Sequence, residues 1–297
     1  MSAPWLMVLA SFLFAGMGVC VKLAAAHYDA GEIVFYRGLA GAAIIGVYAR
    51  ARGGSLRTAV PGKHAGRSLT GVVALCLWFY AIGKLPLATA MTLNYTSSVW
   101  MAMFLLGATM LLGRARVDPR LVFTVLTGFA GVALILRPTI EQDQLWHGLI
   151  GLMSGMLSAA AYLQVTSLGR AGEPDYRIVF YFSLGGIVAG ALLTLGIGWH
   201  AHSVGGAALL LAVGVLATVA QLMMTRAYAI GRPLVNASLQ YLGIAYSFVF
   251  GVLLFGDRIT WMALAGMLLI VAAGIAATLI RTHGIAASDT RIKEASR

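Results

Sequence analysis

Three large amides, Asn94, Gln221 and Gln240, interrupt stretches of the chain that are otherwise apolar. A primary amide both donates and accepts hydrogen bonds, so these side chains suit the binding of a small polar solute. Polar groups among apolar helices usually face a cavity or another helix, because lipid offers them no hydrogen-bond partner. Helix packing is the alternative role, and it is rarer for amides than for Ser or Thr. We therefore predict that the three amides line a cavity.

The amides belong to polar stripes with helical spacing. Positions i, i+4, i+7 and i+11 share one helix face, and here they are Asn236, Gln240, Gly243 and Ser247. The equivalent positions of an earlier segment are Ala90, Asn94, Ser97 and Met101. Two further stripes contain Ser154, Ser158 and Tyr162, and Thr218, Gln221, Thr225 and Tyr228. For the Ser and Thr residues, cavity lining and helix packing both remain open.

Aromatic side chains accompany the amides. Tyr95 corresponds to Tyr241 and Trp100 to Tyr246, and such pairs suit closure around an apolar or cationic part of a substrate. An interfacial or lipid-facing position is the alternative for Trp78. The complete predicted substrate site consists of Trp78, Tyr80, Asn94, Tyr95, Trp100, Met101, Ser158, Tyr162, Gln221, Gln240, Tyr241, Tyr246 and Ser247.

Two cations, Lys22 and Arg37, fall inside predicted helices. Three roles are open to them: snorkelling to the membrane surface, pairing with Asp29 or Glu32, or attracting a substrate carboxylate. Pairing with an acidic neighbour is the role that we favour.

The acidic residues and the enzymatic motifs exclude other chemistries. All ten acidic residues lie in predicted loops, at predicted helix ends or in the C-terminal tail. Proton-coupled efflux of cations normally uses a carboxylate within the membrane, so flux of neutral or zwitterionic solutes fits better. The sequence has no phosphate-binding Gly loop, no His-Glu-x-x-His and no Cys or His cluster. We predict no enzymatic activity, no cofactor and no metal site.

Composition indicates which elements must position these residues. Of the 297 residues, 60% are hydrophobic and 10% are charged, with a mean hydropathy of +0.87. A bilayer core needs about 20 apolar residues per helix. Ten such runs are predicted, at 4–25, 31–49, 68–84, 87–112, 119–136, 146–168, 177–198, 205–228, 233–255 and 259–280. We expect the first to be a retained helix, because no Lys or Arg precedes Trp5.

The distribution of basic residues predicts orientation. With the N-terminus inside, 16 Lys and Arg residues fall in cytoplasmic loops and the tail, whereas three fall on the opposite side. This positive-inside pattern places both termini in the cytoplasm and explains the net charge of +11 without nucleic acid as a partner.

An internal repeat organises the runs. The segment YAIGKLPLATA at 80–90 returns as YAIGRPLVNA at 228–237, and EIVFYRGL at 32–39 resembles RIVFYFSL at 177–184. LNYTSSVW at 93–100 likewise aligns with LQYLGIAY at 239–246. Five helices per half is an odd number, so the second half must be inverted in the membrane. We predict repeats at 1–140 and 141–282, followed by a cytoplasmic tail at 283–297.

These segments resemble the drug/metabolite transporter superfamily, in particular its ten-helix EamA-type branch. Lys22, Arg37, the segment FYAIGKLPLATA and the Leu-Gly-Arg-Ala-Arg ending of the fourth helix stand where that family places them. The aromatic content most resembles YddG-type amino-acid exporters. Ser98 and Ile244 stand where the family usually has Pro, which puts helix bending there in doubt.

The resemblance and the residues together predict an all-α inner-membrane protein with ten transmembrane helices in two inverted repeats. It is expected to export small neutral or zwitterionic metabolites, foremost amino acids, by alternating access with hinges at Gly83, Pro86, Gly231 and Pro233. Expected partners are the small-molecule substrate and the lipid bilayer, and the sequence is compatible with a monomer. Export of a nucleoside or an aromatic cation is the alternative, followed by a membrane enzyme or scaffold.

Overall fold

The computed structural model describes residues 2–111, 144–231, 239–258 and 260–273, together with 120, 123–124, 126–128, 130–134, 235–236, 275–276 and 279. Over these residues the chain forms α-helices joined by short turns, which confirms the predicted all-helical class there. The helices are α1 (Ala3–Ala24), α2 (Ala30–Ala51), α3 (Pro61–Lys84), α4 (Leu87–Tyr95), α5 (Ser97–Leu111), α6 (Leu145–Arg170), α7 (Asp175–Ile197), α8 (Val204–Ile230), α9 (Leu242–Phe255) and α10 (Trp261–Ala273).

Six of these helices, α1, α2, α3, α6, α7 and α8, are long and apolar enough to cross a membrane. The outward faces of the helices carry large apolar side chains, among them Val47, Leu69, Leu195 and Trp261, the last of which is 86% exposed. Exposed apolar surface on this scale is typical of a bilayer as solvent. The described residues are therefore those of a multi-pass membrane protein.

The third helix begins seven residues earlier than the predicted run at 68–84. Pro61 occupies its first turn, a position where the missing N–H of proline costs nothing. His64 and Arg67 precede the predicted run and would therefore belong to a cytoplasmic loop, but they lie within α3 and are buried. The predicted start of the third helix was therefore wrong.

The predicted fourth helix, 87–112, is divided in two at Thr96. The Thr96 hydroxyl donates to the Leu93 carbonyl oxygen at 2.6 Å, a side-chain bond that competes with the helical ladder. The predicted ninth helix, 233–255, likewise has a turn at Gln240 and Tyr241 before α9 begins. Both interruptions precede Ser98 and Ile244, so the described chain bends there without proline.

Helices from the two parts of the chain pack against each other in a fixed pattern. The most extensive pairing joins α2 to α7, and α1 pairs with α8, α3 with α6, and α4 with α9. The α2–α7 crossing is close because it uses glycines. A Cβ on Gly38 would lie 2.7 Å from the Ser183 carbonyl oxygen, and one on Gly190 would lie 2.5 Å from the Phe35 nitrogen. Helices α3 and α8, which also contribute to the site, flank this crossing.

Several predicted features lie wholly or partly outside the described residues. They are the fifth helix at 119–136, the end of the tenth helix, the hinge residue Pro233 and the tail at 283–297.

Candidate functional site

A buried polar cavity lies where α1, α2, α3, α6, α7 and α8 meet. It encloses about 40 Å³, which is room for about three water molecules. Its walls are formed by Phe14, Arg37, Arg67, Gly71, Leu75, Trp78, Tyr95, Ser158, Ala161, Tyr162, Phe182, Gln221, Met224 and Gln240. The cavity is thus too small for a metabolite in this arrangement, and the helices must separate before one enters.

Two arginines dominate the electrostatics of the cavity. Arg37 is 4% exposed and Arg67 is 2% exposed. Arg37 donates from Nη2 to the Gln221 amide oxygen at 3.3 Å, while its Nε and both the Nε and Nη1 of Arg67 have no hydrogen-bond partner. Unpaired donors of this kind in a buried site are costly. They are available to a ligand.

Both guanidinium groups lie over the ring of Phe182. The distance from Cζ to the ring centroid is 5.0 Å for Arg37 and 4.2 Å for Arg67, within the range of a cation–π contact. Arg37 and Phe182 are also counterparts in the sequence repeat, EIVFYRGL against RIVFYFSL. The Phe182 ring therefore contacts two cations, one from α2 and one from α3.

Gly71 makes room for the Arg67 side chain. It follows Arg67 by one helical turn in α3, and a Cβ there would overlap Nη1 of Arg67 and lie 3.1 Å from Cε2 of Phe182. Because side chains four apart on a helix are neighbours, a larger residue would push the guanidinium away from the ring. The glycine is therefore part of the site.

Gln240 and neighbouring tyrosines form another part of the cavity wall. The Tyr228 hydroxyl donates to Oε1 of Gln240 at 3.4 Å, and Nε2 of Gln240 lies 3.3 Å from the sulfur of Met224. The Tyr162 and Tyr228 rings stack with centroids 4.9 Å apart. This wall is held by its own contacts and offers aromatic surface to the cavity.

Asn94 joins α4 to α6 beside the cavity. Its Nδ2 donates to the hydroxyl oxygens of Ser154 at 3.0 Å and Ser158 at 3.1 Å. Its Oδ1 has no partner, and neither does the Tyr95 hydroxyl. The interruption at Thr96 follows these two residues directly, so the break in the helix lies next to unpaired polar groups.

The structure brings six of the thirteen predicted site residues into the cavity wall: Trp78, Tyr95, Ser158, Tyr162, Gln221 and Gln240. Asn94 reaches the wall through Ser158. The other six lie elsewhere, as their contacts show. They are Tyr80, Trp100, Met101, Tyr241, Tyr246 and Ser247. Tyr80 contacts His147 at 3.1 Å, and Tyr246 packs edge-on against Phe12.

Tyr241 lines a separate apolar groove between α9 and α10, together with Phe248 and Met267. Met101 and Ser247 are fully buried away from the cavity, and the Trp100 ring lies 6.4 Å from that of Phe104. Helical periodicity correctly groups residues on a face, but it does not fix which part of that face meets the cavity.

Sequence reasoning missed Arg67, Phe182 and Phe14 as wall residues, and it favoured an acidic partner for Arg37. Neither Asp29 nor Glu32 reaches Arg37, because Glu32 accepts hydrogen bonds from His200 instead. One available signal was the repeat alignment, which sets Arg37 opposite Phe182. For Arg67, the signal was Pro61, which permits a helix start that early.

Polar contacts close both ends of the helix bundle. At one end, Lys22 pairs with Asp257 at 3.2 Å, and Asp257 also accepts from the Leu87 backbone N–H at 2.8 Å. At the other end, Glu173 contacts Thr58 at 2.8 Å, His64 at 3.1 Å and Arg177 at 3.0 Å.

The cluster around Glu173 perturbs its titration. Burial acts to raise the pKa of Glu173, but hydrogen bonds from Thr58, His64 and Arg177, together with the Arg177 charge, outweigh it and hold the pKa below its usual range. Glu173 is therefore ionised at neutral pH. Within the part of the chain that the structure describes, no group of three or more His, Cys, Asp or Glu residues could hold a metal ion.

Comparison with known proteins points to transport. A model of the EamA-like transporter family matches residues 1–137. A pseudopaline exporter of Pseudomonas aeruginosa is 32% identical over 280 residues, covering 93% of this chain and 95% of that protein. A riboflavin transporter of Rhizobium johnstonii is 30% identical over 175 residues, covering 59% of this chain and 56% of that protein.

One solved crystal structure of a protein shares the fold. It superposes with a TM-score of 0.67 at 18% identity, covering 94% of this chain and 96% of that chain. At this identity the likeness concerns the fold alone.

Proposed function

The chain belongs to the EamA-like transporter family, and from this premise we propose that it exports a small carboxylate-bearing metabolite through the buried cavity. The observation that carries the proposal is the set of unpaired donors in the cavity wall: Nε of Arg37, Nε and Nη1 of Arg67, Nε1 of Trp78 and the Tyr95 hydroxyl. Buried donors without acceptors suit a bound solute that supplies them.

Alternating access between two inverted five-helix repeats, 1–140 and 141–282, is the proposed mechanism. The helix pairing supports it. In the proposed repeat, α1, α2, α3 and α4 correspond to α6, α7, α8 and α9. Replacing each helix by its counterpart turns the α1–α8 pair into the α6–α3 pair, which is also present, and gives the α2–α7 and α4–α9 pairs again. A pseudo-two-fold axis in the membrane plane produces this pattern. The cavity wall includes residues of both repeats, so rocking the repeats would expose it to each side in turn.

The two polar closures fit this mechanism as gates. Positive-inside orientation would place both termini and the Glu173 cluster at the cytoplasmic face of the inner membrane, with Lys22 and Asp257 at the opposite face. Each closure joins segments from the two repeats. Opening one closure while the other holds would give a single open side.

Amino acids are the first substrates to test, because a guanidinium and the amides would bind the carboxylate and amine of their backbone. Two of the relatives are a pseudopaline exporter and a riboflavin transporter, so the amino-acid assignment rests on the site alone. Export of an aromatic cation, the alternative from the sequence, is disfavoured by two buried guanidinium groups. Enzymatic and scaffold roles find no support in the family.

Counterflow into reconstituted vesicles tests the proposal. Vesicles loaded with an unlabelled amino acid should accumulate the same labelled amino acid, and Gln240→Ala should reduce the rate by about tenfold. Tyr80→Phe, which changes a residue outside the cavity wall, should retain the rate. Absence of counterflow for every carboxylate-bearing metabolite tried, with correctly folded protein, would contradict the proposal.

A further inference from the structure

We propose that the transported metabolite carries two negatively charged acid groups, one bound by Arg37 and the other by Arg67, with its connecting atoms over Phe182. This inference rests on the proposed transport function and narrows its substrate class from carboxylate-bearing metabolites to metabolites with two acid groups.

The positive charge of the cavity wall is the first reason for this inference. Two guanidinium groups lie in this wall, and no acidic side chain is among the described residues that line it. Arginine stays protonated in proteins, so the described wall holds two positive charges in a setting where the hydrocarbon supplies no counter-ion. A solute with two acid groups would neutralise both.

Three described acidic residues with low exposure, Glu32, Glu173 and Asp257, do not supply the missing charge, because each is bound elsewhere. Glu32 accepts from His200, with the shortest contact at 2.6 Å. Glu173 is bound by Arg177, and Asp257 is bound by Lys22. The three carboxylates form contacts at the ends of the bundle and are not among the residues facing the two arginines.

The available donors are the second reason for this inference. Arg67 presents Nε and Nη1, and Arg37 presents Nε, all without partners. A guanidinium binds a carboxylate through two parallel hydrogen bonds. Gln221 occupies only one donor of Arg37, so each arginine retains the capacity to bind one acid group.

The contact of both arginines with the Phe182 ring is the third reason for this inference. Because both guanidinium groups contact Phe182, one short solute can reach both of them. Short dicarboxylates and acidic amino acids are solutes of this kind. Trp78 and Leu75 in the same wall provide apolar contact for the atoms between the two acid groups.

Matched acids and amides give the test. Full-length protein in lipid nanodiscs is titrated with glutamate or glutamine, and with succinate or succinamate, while thermal unfolding is followed. The members of each pair have the same shape and differ by one charge. We expect the member with two acid groups to bind at least about tenfold more tightly, since an amide leaves one guanidinium without its charged partner.

Variants assign that preference to the two arginines. Arg37→Gln and Arg67→Gln should each remove most of the discrimination between acid and amide, whereas Arg37→Lys and Arg67→Lys should keep part of it. Arg50→Gln, an exposed charge on the same helix as Arg37, is the matched control and should keep all of it. The wild-type comparison needs no variant, so a misfolded variant does not remove the test.

Three results would overturn the inference: equal binding of acid and amide by the wild type, full discrimination in both Gln variants, or equal stabilisation by chloride alone. Counterflow separates this failure from that of the transport proposal. Counterflow of glutamine equal to that of glutamate would retain transport and reject the requirement for two acid groups. Tight binding of glutamate without any counterflow would retain the site for two acid groups and reject transport.

Discussion

Replacing Gly71 with alanine tests the arginine site without removing a charge. A Cβ at this position would overlap Nη1 of Arg67 and approach its Cζ to 2.9 Å, so the guanidinium must shift from its present position over the ring of Phe182. Loss of one charge-assisted pair with a bound acid costs about 1.5–3 kcal/mol, which corresponds to about 10- to 100-fold in affinity. The helix itself should gain, because alanine is favoured over glycine in a helix by about 1 kcal/mol.

The assay is glutamate binding by Gly71→Ala, measured by thermal stabilisation of purified protein, with Gly66→Ala as the control. Gly66 lies in the same helix, and a Cβ there would meet nothing within 4 Å. We expect Gly66→Ala to bind glutamate as the wild type does and Gly71→Ala to bind it at least about tenfold more weakly. Unchanged affinity in Gly71→Ala, or an equal loss in Gly66→Ala, would refute the role of Arg67.

Three further predictions concern stability. Asp257→Asn should lower the free energy of unfolding by about 1–3 kcal/mol, because Lys22 loses its ionic partner; an unchanged denaturation midpoint would contradict this. Glu173, whose pKa is lowered in the folded state, should stabilise the protein above its unfolded-state pKa and lose that contribution as the pH falls through the folded value. Thermal unfolding against pH should show this loss in the wild type and not in Glu173→Gln. Gly190→Ala should destabilise the protein by about 1–3 kcal/mol by forcing α2 away from α7. The control is Gly196→Ala, where a Cβ meets nothing within 4 Å, and it should not destabilise the protein. Equal melting temperatures of the two variants would contradict the close crossing of α2 and α7.

The helical fold and part of the cavity wall could be predicted because hydrocarbon imposes strong rules on sequence. Gln221 and Gln240 stand out in apolar runs, since an unsatisfied amide is costly in lipid. Both lie in the cavity wall. The repeat also aligned Asn94 with Gln240, although only Gln240 lines the cavity directly.

Arg67 could not be predicted in the same way. It follows Lys63 and His64, and a basic cluster beside an apolar run normally marks a cytoplasmic loop. Its burial depends on the helix starting at Pro61 and on the space left by Gly71. Such a packing relation between helices is invisible to a count of charges along the chain.

The helix boundaries within the long apolar runs could also not be predicted from the sequence. Residues 87–111 read as one uninterrupted helix, because no glycine or proline marks the break at Thr96. Helix α6 approaches the chain closely just before the break, where a Cβ on Gly155 would lie 2.5 Å from the Leu93 carbonyl oxygen. The geometry next to Asn94 therefore includes tertiary packing that the sequence pattern does not show.

Exchange of labelled glutamate across reconstituted vesicles tests most directly whether the arginine cavity is a transport site. With the wild type, external glutamate should accelerate release of preloaded labelled glutamate by at least about tenfold over protein-free vesicles, and external glutamine should not. Arg67→Gln should abolish the acceleration, while Arg50→Gln should preserve it. Release from wild-type vesicles at the protein-free rate, or full acceleration in Arg67→Gln, would contradict transport of an acid through this cavity.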